Sequence, residues 1–171
     1  MNSNDSNHDY LADSIIAHQN TVFQVALGYV KNIHDADDIV QNVFFKLYRN
    51  KKTFVNDEAQ KAWLIRVTVN ECKDLLKSLW RRNRSDFDES LAAPDVHDSE
   101  QTNIGEYVRC LKPKYRTVIY LHYYEGYSTN EIARMLKMTQ TAVTTQLNRA
   151  RNQLKQAIIS DRIESEASYG L

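Results

Sequence analysis

The sequence predicts an all-α protein built from two small helical domains joined by an acidic, flexible linker. Its 171 residues include only two prolines and four glycines. An all-β chain needs a turn about every ten residues, which so few turn-forming residues cannot supply. Hydrophobic residues make up 42% of the chain, which excludes a wholly disordered protein. A chain of this length forms one large domain or two small ones, and the charge pattern favours two.

The formal net charge of zero is a sum of blocks with opposite signs. Residues 61–84 carry seven basic and two acidic side chains, and residues 112–155 carry eight and two. Between them, residues 85–111 carry one basic and seven acidic side chains. Two positive blocks separated by an acidic one indicate an organised chain and not a uniform surface, with chance clustering of charges as the alternative. We therefore predict domains over residues 10–82 and 104–159, with residues 83–103 as a linker whose composition cannot build a core.

The cysteines and the chain termini indicate a soluble, cytoplasmic protein without a metal site. Cys72 and Cys110 are single thiols with no paired spacing around them, so neither a disulfide framework nor a zinc site is expected. Asp35, Asp37 and Asp38 lie close in sequence but do not converge on one helical face. The polar N-terminus is no signal peptide, and no run approaches the ~18 apolar residues of a membrane span, so no membrane insertion is expected.

The first predicted element covers residues 10–32. Apolar side chains recur there at mostly helical spacing, which predicts one or two core-facing helices. The side chains expected to face the core are Leu11, Ile15, Val22, Ala26, Tyr29 and Val30.

Residues 35–50 predict an amphipathic helix with a second, outward face. Asp35 is the expected N-cap, because an aspartate side chain can accept hydrogen bonds from first-turn amides. Apolar residues recur on one face, which we expect to pack inward. On another face lie Asp38, Gln41 and Phe45, at positions i, i+3 and i+7. An aromatic ring flanked by polar groups can anchor a partner protein, and a second packing contact inside the domain is the alternative.

Residues 62–82 predict a long helix with one apolar and one basic face. One broad apolar arc contains Leu64, Ile65, Thr68, Val69, Cys72, Leu75, Leu76 and Leu79. Basic groups neutralise phosphates, an amide reads base edges and indoles stack on unpaired bases. The pattern therefore predicts a nucleic-acid-binding face, with a merely solvated surface as the alternative. The residues of the basic face, which include no acid, are Arg66, Asn70, Lys73, Lys77 and Arg81, with Trp63 and Trp80 at its edges.

Residues 111–158 predict a helix-turn-helix unit. A short helix with the small residue Ala133 at the crossing is followed by a tight turn and a second helix, which is typical of DNA-binding units. A helical hairpin used for protein contacts is the alternative. The expected boundary residues are Pro113 and Gly126 for the preceding helix, the capping box of Ser128 with Glu131 for the short helix, and Thr139 for the last helix.

The outer face of the last helix carries the chemistry of a DNA reader. Amides and hydroxyls suit base edges in a major groove, while arginine and lysine suit phosphates. No acid lies between Glu131 and Asp161, which favours insertion between phosphate strands. The candidates are Gln140, Thr141, Thr144, Thr145, Asn148, Arg149, Arg151 and Lys155.

With these features the chain resembles bacterial sigma factors of the extracytoplasmic-function group, over about residues 15–157. Three segments carry the resemblance in the right order and spacing: DADDIVQNVF (35–44), AWLIRVTVNECKDLL (62–76) and EGYSTNEIARMLKMTQTAVTTQLNRAR (125–151). It implies sigma domains 2 and 4, no catalytic chemistry and no cofactor. The implied partners are the RNA polymerase core enzyme and promoter DNA, with an anti-sigma factor as a further one.

The resemblance also implies a role for each element. The helix over 35–48 matches the docking surface for polymerase core, and the helix over 62–82 matches the element that recognises and opens the promoter −10 element. Residues 53–58 match the loop that captures a flipped base. The implied core contacts are Asp38, Gln41, Asn42 and Phe45. The implied −10 contacts are Phe54, Asn56, Trp63, Arg66, Asn70, Lys73, Lys77 and Arg81.

The C-terminal unit matches the domain that reads the −35 element as duplex, through the helix over 139–155. The chain departs from the family at Thr144 and Gln146, where basic residues are common, and at Lys137, where the turn residue is usually glycine-like. We therefore predict a promoter-specificity subunit of RNA polymerase. A stand-alone helix-turn-helix regulator, which would bind duplex DNA without polymerase, is the alternative.

Overall fold

A computed structural model describes residues 3–50, 54–82 and 104–169, and within these ranges every element is helical. The all-α prediction is therefore confirmed. The chain divides into two compact units, Met1–Ala92 and Ala93–Leu171. The predicted linker over 83–103 lies outside the described residues.

The first unit consists of three helices: α1 (Ser3–Val30), α2 (Ile33–Asn50) and α3 (Asp57–Arg82). Each helix packs against the other two, so the apolar face of each is covered by its neighbours. Residues 10–30 of the predicted element lie in one helix, in which Leu11, Ile15 and Val30 are half-buried, and residues 31–32 form the turn after it. The core contains Val22, Val25, Ala26, Tyr29, Ala36, Ile39, Val43, Phe44, Leu47, Leu64, Ile65, Val69 and Cys72.

The turn between α1 and α2 corrects one prediction. Asn32, not Asp35, caps α2, because its Oδ1 accepts a 2.9 Å hydrogen bond from the backbone N–H of His34. Lys31 has φ +57°, and this left-handed conformation reverses the chain directly after α1. Helix α2 therefore begins at Ile33, before the predicted start at residue 35. Asp35 therefore lies inside the first turn of α2, where a carboxylate still interacts favourably with the helix dipole.

The second unit begins with α4 (Ile104–Cys110) and α5 (Pro113–Ile119). As predicted, Pro113 stands at the start of its helix. The helix continues as a π-helical turn over Tyr120–Tyr124, and Gly126 follows with φ +76°. A positive φ favours glycine because it has no Cβ, so the predicted stop at Gly126 is confirmed.

Two further helices complete this unit: α6 (Thr129–Leu136) and α7 (Gln140–Tyr169). Helix α7 packs against α4, α5 and α6 and extends beyond residue 159. In α6, Met135 is buried and Leu136 is half-buried. The core contains Leu111, Tyr115, Val118, Ile119, Leu121, Tyr127, Ile132, Ala133, Val143, Leu147 and Ala150.

The caps of α6 and α7 form as predicted. The Glu131 N–H donates to Ser128 Oγ at 3.3 Å, and the Ser128 N–H donates to Glu131 Oε2 at 2.8 Å. These reciprocal hydrogen bonds are a capping box. Thr139 Oγ1 accepts from the Ala142 N–H at 3.1 Å and so caps α7. Between the two helices, Lys137 takes the left-handed conformation, φ +54°, at the position where the family usually has a glycine-like residue.

Candidate polymerase and promoter interfaces

The outward face of α2 is exposed, as its polar character predicts. Asp38, Gln41 and Asn42 are exposed, and 57% of the Phe45 side chain is accessible to solvent. The guanidinium of Arg49 lies 5.7 Å from the centre of the Phe45 ring, where a cation is attracted by the π-face. The alternative of a second packing contact inside the unit does not fit this exposure. The face presents an aromatic group among polar ones, the pattern of a protein-docking surface.

The basic face of α3 is exposed along most of its length. Asn70, Lys73, Lys77 and Arg81 are exposed, and Arg66 is half-buried. One acid adjoins this face, which the sequence pattern had indicated to be free of acids, because the Lys77 Nζ lies 3.5 Å from Asp74 Oδ1. Such an exposed ion pair is weak, so Lys77 can exchange it for a phosphate contact.

The two tryptophans at the edges of this face differ in exposure. Trp63 is buried, with 8% of its surface accessible, and its ring centre lies 5.7 Å from that of Phe54. Trp80 is exposed. The indole available for stacking on an unpaired base is therefore Trp80, an edge residue that is not among the −10 contacts implied by the resemblance. Sequence periodicity placed one tryptophan at each edge of the basic face, and only packing shows which of the two is buried.

The segment before α3 is held by local contacts. Asn56 is exposed, and its Oδ1 accepts a 2.8 Å hydrogen bond from the Ala59 N–H, which caps α3. Phe54 is half-buried, and its ring contacts that of Trp63. Val55, which lies between Phe54 and Asn56 in the chain, is 94% exposed. Residue 53, the first of the predicted base-capturing loop, lies outside the described residues. In the described part of this segment, the side chain of Val55 is therefore exposed between two residues, Phe54 and Asn56, that local contacts hold in place.

All eight predicted −35 residues of α7 are exposed: Gln140, Thr141, Thr144, Thr145, Asn148, Arg149, Arg151 and Lys155. The opposite side of the helix is buried in the core, so these side chains face solvent. The Gln140 amide donates a 3.1 Å hydrogen bond to Thr129 Oγ1, which joins the first turns of α7 and α6.

Arg151 lies at the border of this face and is engaged by an aromatic side chain. Its Nε donates a 2.7 Å hydrogen bond to the Tyr123 hydroxyl, and its guanidinium lies 5.6 Å from the Tyr123 ring centre. Arg151 and Lys155 also line an apolar groove of about 580 Å³, which the sequence did not indicate. Ile158 and Ile159, exposed apolar residues beyond the reading face, are the signal that could have revealed it.

Neither a metal centre nor a membrane span is found in the described part of the chain. Among residues 3–50, 54–82 and 104–169, no three His, Cys, Asp or Glu side chains cluster as metal ligands. Over the same residues, no helix is long and apolar enough to cross a bilayer. Among the same residues, two side chains have clearly shifted pKa values. Burial raises the pKa of Cys72, and the hydrogen bonds of the capping box lower the pKa of Glu131.

Comparison with known proteins finds a matching family region for each of the two units. The family description Sigma-70 region 2 matches residues 15–82, and Sigma-70, region 4 matches residues 101–154. The chain is similar to the RNA polymerase sigma factor SigV of Bacillus subtilis strain 168, at 30% identity over 142 residues, which cover 82% of this chain and 86% of that protein. It is 26% identical over 171 residues to the ECF RNA polymerase sigma factor SigW of the same strain, covering 88% and 89%.

A solved structure has the same fold. The sigma factor RpoE from Bartonella quintana, determined in complex with the anti-sigma factor NepR, aligns with a TM-score of 0.71 at 21% identity, covering 88% of this chain and 97% of that one. The stand-alone regulator that we weighed from the sequence gains no support from these matches. The two matched regions together with the relatives place the chain in the sigma-70 family of RNA polymerase sigma factors, in its extracytoplasmic-function group.

Proposed function

We propose that the chain docks on RNA polymerase core through the outward face of α2, reads the −10 element through α3 and reads the −35 element through α7. Promoter-directed transcription initiation is the function of the family to which the chain belongs. The observation that carries the assignment of roles is that each of three faces is exposed and has the chemistry that its target requires.

The docking role of α2 is supported by its exposed aromatic group. Phe45 stands one position after the buried Phe44, so its exposure follows from the helical period and not from a lack of core to pack against. A ring that is exposed in the free protein gains free energy when a partner covers it. Asp38 and Gln41 flank it with groups that can fix the orientation of the partner.

The −10 role of α3 is supported by a row of cations around one amide. Lys73, Lys77 and Arg81 are spaced to follow a phosphate backbone, and Asn70 supplies the donor and acceptor pair that reads a base edge. Trp80 adds an exposed indole that can stack on an unpaired base. Cations, amide and indole together suit DNA that is being opened.

The −35 role of α7 is supported by polar residues near its first turns and cations after them. Thr144, Thr145 and Asn148 can reach base edges, while Arg149 and Lys155 suit phosphates. The capping box at Ser128 and the short helix α6 before it complete the helix-turn-helix arrangement. We also propose that the chain acts in the cytoplasm and that polymerase alone supplies the chemistry. An anti-sigma partner stays a prediction.

The test is reconstitution with core polymerase. Purified protein should associate with core, and the holoenzyme should select and transcribe a distinct set of promoters from genomic DNA. Absence of association with core, or tight sequence-specific binding to duplex DNA by the protein alone, would contradict the proposal.

Docking through α2 is tested by charge reversal. Asp38→Arg should weaken core binding at least tenfold, because it reverses the charge of a carboxylate on the face that the partner is proposed to cover. Asp13→Arg, a reversal at an exposed site on α1, is the matched control and should leave core binding unchanged. Equal binding by both variants would remove α2 as the docking face.

A further inference from the structure

Two polar contacts join α1 to the first turn of α3. His18 Nε2 lies 2.8 Å from Asp57 Oδ1, and because a carboxylate only accepts, the imidazole donates. One turn earlier, the Ser14 hydroxyl accepts a 2.6 Å hydrogen bond from Gln60 Nε2 and donates one of 2.8 Å to the Tyr10 carbonyl oxygen. Ser14 and His18 are four residues apart and Asp57 and Gln60 three, so each pair lies on one face of its helix.

Three of the four side chains in these contacts are buried within the first unit, whereas the Asp57 carboxylate is exposed. Only 3% of His18 is exposed, and Ser14 and Gln60 are buried as well. Further along α3, the buried positions include Leu64 and Ile65. Buried polar groups cost free energy unless they are bonded, and the bonds largely offset that cost without a large net gain. What they do supply is geometry, because only one arrangement of the two helices satisfies every group.

The segment that this geometry controls is the described part of the loop before α3, residues 54–57. Asp57 is the first residue of α3 and directly follows Asn56, whose side chain caps the helix. The His18–Asp57 contact therefore fixes the point where the loop joins the helix. Phe54 is held separately by its ring contact with Trp63, and Val55 projects into solvent between the two anchors.

We infer that Ser14 and His18 are positioning residues for promoter opening: they hold residues 54–57 in the orientation that receives the extruded base of the −10 element. The inference rests on the proposed −10 role of α3 and on the base-capturing role that the sequence resemblance implies for residues 53–58. Extruding a base costs free energy that contacts in the receiving site must offset. A loop already fixed in place adds no ordering cost to that step, whereas a loose loop would.

The experiment uses holoenzyme reconstituted from core polymerase and the full chain, on a promoter that it transcribes. The non-template strand of the −10 element carries 2-aminopurine, whose fluorescence rises when a base leaves the stack. His18→Ala should reduce the rate of the fluorescence rise about tenfold, the effect of losing a hydrogen bond to a charged group. Core binding and binding of a −35 duplex should stay at the wild-type level.

Two variants separate positioning from general destabilisation. His18→Gln keeps an amide N–H that can reach Asp57, and should restore most of the opening rate. Val22→Ala removes buried methyl groups from the same helix without touching the loop, and should lower thermal stability while opening stays near wild type. Asp57→Ala, at an exposed carboxylate, repeats the test if His18→Ala unfolds the unit, and should slow opening in the same way.

The outcomes distinguish this inference from the function on which it rests. If wild-type holoenzyme opens the promoter and His18→Ala, or Asp57→Ala in its place, slows opening no more than Val22→Ala does, the positioning role is wrong and the −10 role stands. The positioning role is equally wrong if His18→Gln opens as slowly as His18→Ala. If the wild-type holoenzyme opens no promoter, the proposed function itself fails.

Discussion

At the scale of single residues, burial decides the chemistry of the two cysteines. Cys72 lies inside the first unit, and Cys110 is exposed at the end of α4. Burial raises the pKa of the Cys72 thiol from 9.0 to about 12, because a thiolate would lose its hydration there. Since the thiolate is the reactive form, Cys72 is protected both by access and by protonation.

A thiol reagent should therefore label the two cysteines at very different rates. At mildly alkaline pH, native protein is expected to take up one equivalent of DTNB rapidly, at Cys110, and the second only at the rate of unfolding. Cys110→Ser should abolish the fast phase, and Cys72→Ala should leave it intact. Rapid uptake of two equivalents by native protein would show that the core around Cys72 opens readily.

Backbone conformation at one residue gives a second prediction. Gly126 has φ +76°, and a Cβ built there meets nothing within 4 Å. The whole cost of Gly126→Ala is therefore backbone strain, and we expect it to lower the free energy of unfolding of the second unit by about 1 kcal/mol. The measurement is a urea titration.

The matched control is another glycine of the same unit. Gly105 lies in α4, has no positive φ, and a Cβ there also meets nothing within 4 Å. Gly105→Ala should leave the unit as stable or slightly more stable, since alanine favours helix more than glycine does. Equal losses in both variants would mean that the turn conformation is not what Gly126 supplies.

At the scale of elements, much of the helix-turn-helix was predictable because its determinants are local. The capping box joins residues three apart, Pro113 and Gly126 act on their own backbone, and Thr139 caps the helix that it precedes. The π-helical turn over Tyr120–Tyr124 was not predictable from the sequence. Its hydrogen bond, from the Glu125 N–H to the Tyr120 carbonyl oxygen, joins residues five apart and replaces the four-residue spacing of an α-helix.

The capping box should make the second unit sensitive to one hydroxyl and to acid. Ser128→Ala should cost about 1 kcal/mol at neutral pH, measured by urea titration. Hydrogen bonds from the Ser128 hydroxyl and N–H lower the pKa of Glu131 below its usual value of 4.5. The contribution of the Glu131 carboxylate to the free energy of unfolding is therefore present above pH 4.5. It is lost as the pH falls through the pKa that Glu131 has in the folded state.

Glu131→Gln is the control for the acid effect, because an amide oxygen can accept the same bonds without titrating. The difference in free energy of unfolding between wild type and Glu131→Gln should shrink as the pH is lowered below the carboxyl range. A difference that does not vary with pH would show that the carboxylate charge contributes nothing to the cap.

At the scale of the whole molecule, zero net charge coexists with two positive faces. On α3 the exposed cations are Lys73, Lys77, Arg81 and Arg82, and those of residues 112–155 include the exposed Arg149 and Lys155 on α7. Each unit has its own hydrophobic core. With no net positive charge to drive bulk attraction, DNA affinity has to come from these local faces and from polymerase.

Salt dependence should separate phosphate contacts from base contacts. Lys77→Ala should weaken holoenzyme binding to all promoters alike and reduce the slope of log affinity against log salt concentration by about 1. Asn70→Ala should change the preference at the −10 element and leave that slope unchanged. Competition binding across a salt series measures both, and an unchanged slope for Lys77→Ala would place this lysine outside the phosphate path.

The sequence by itself determined the helices, most of their caps and the chemistry of the exposed faces, because these depend on residues a few positions apart. Long-range packing decided the rest. It buried Trp63 and exposed Trp80, although periodicity placed both at edges of the basic face. It also brought His18 to Asp57, 39 residues away, and formed the groove beside α7. Such contacts need two helices to meet, and no local pattern encodes which faces will do so.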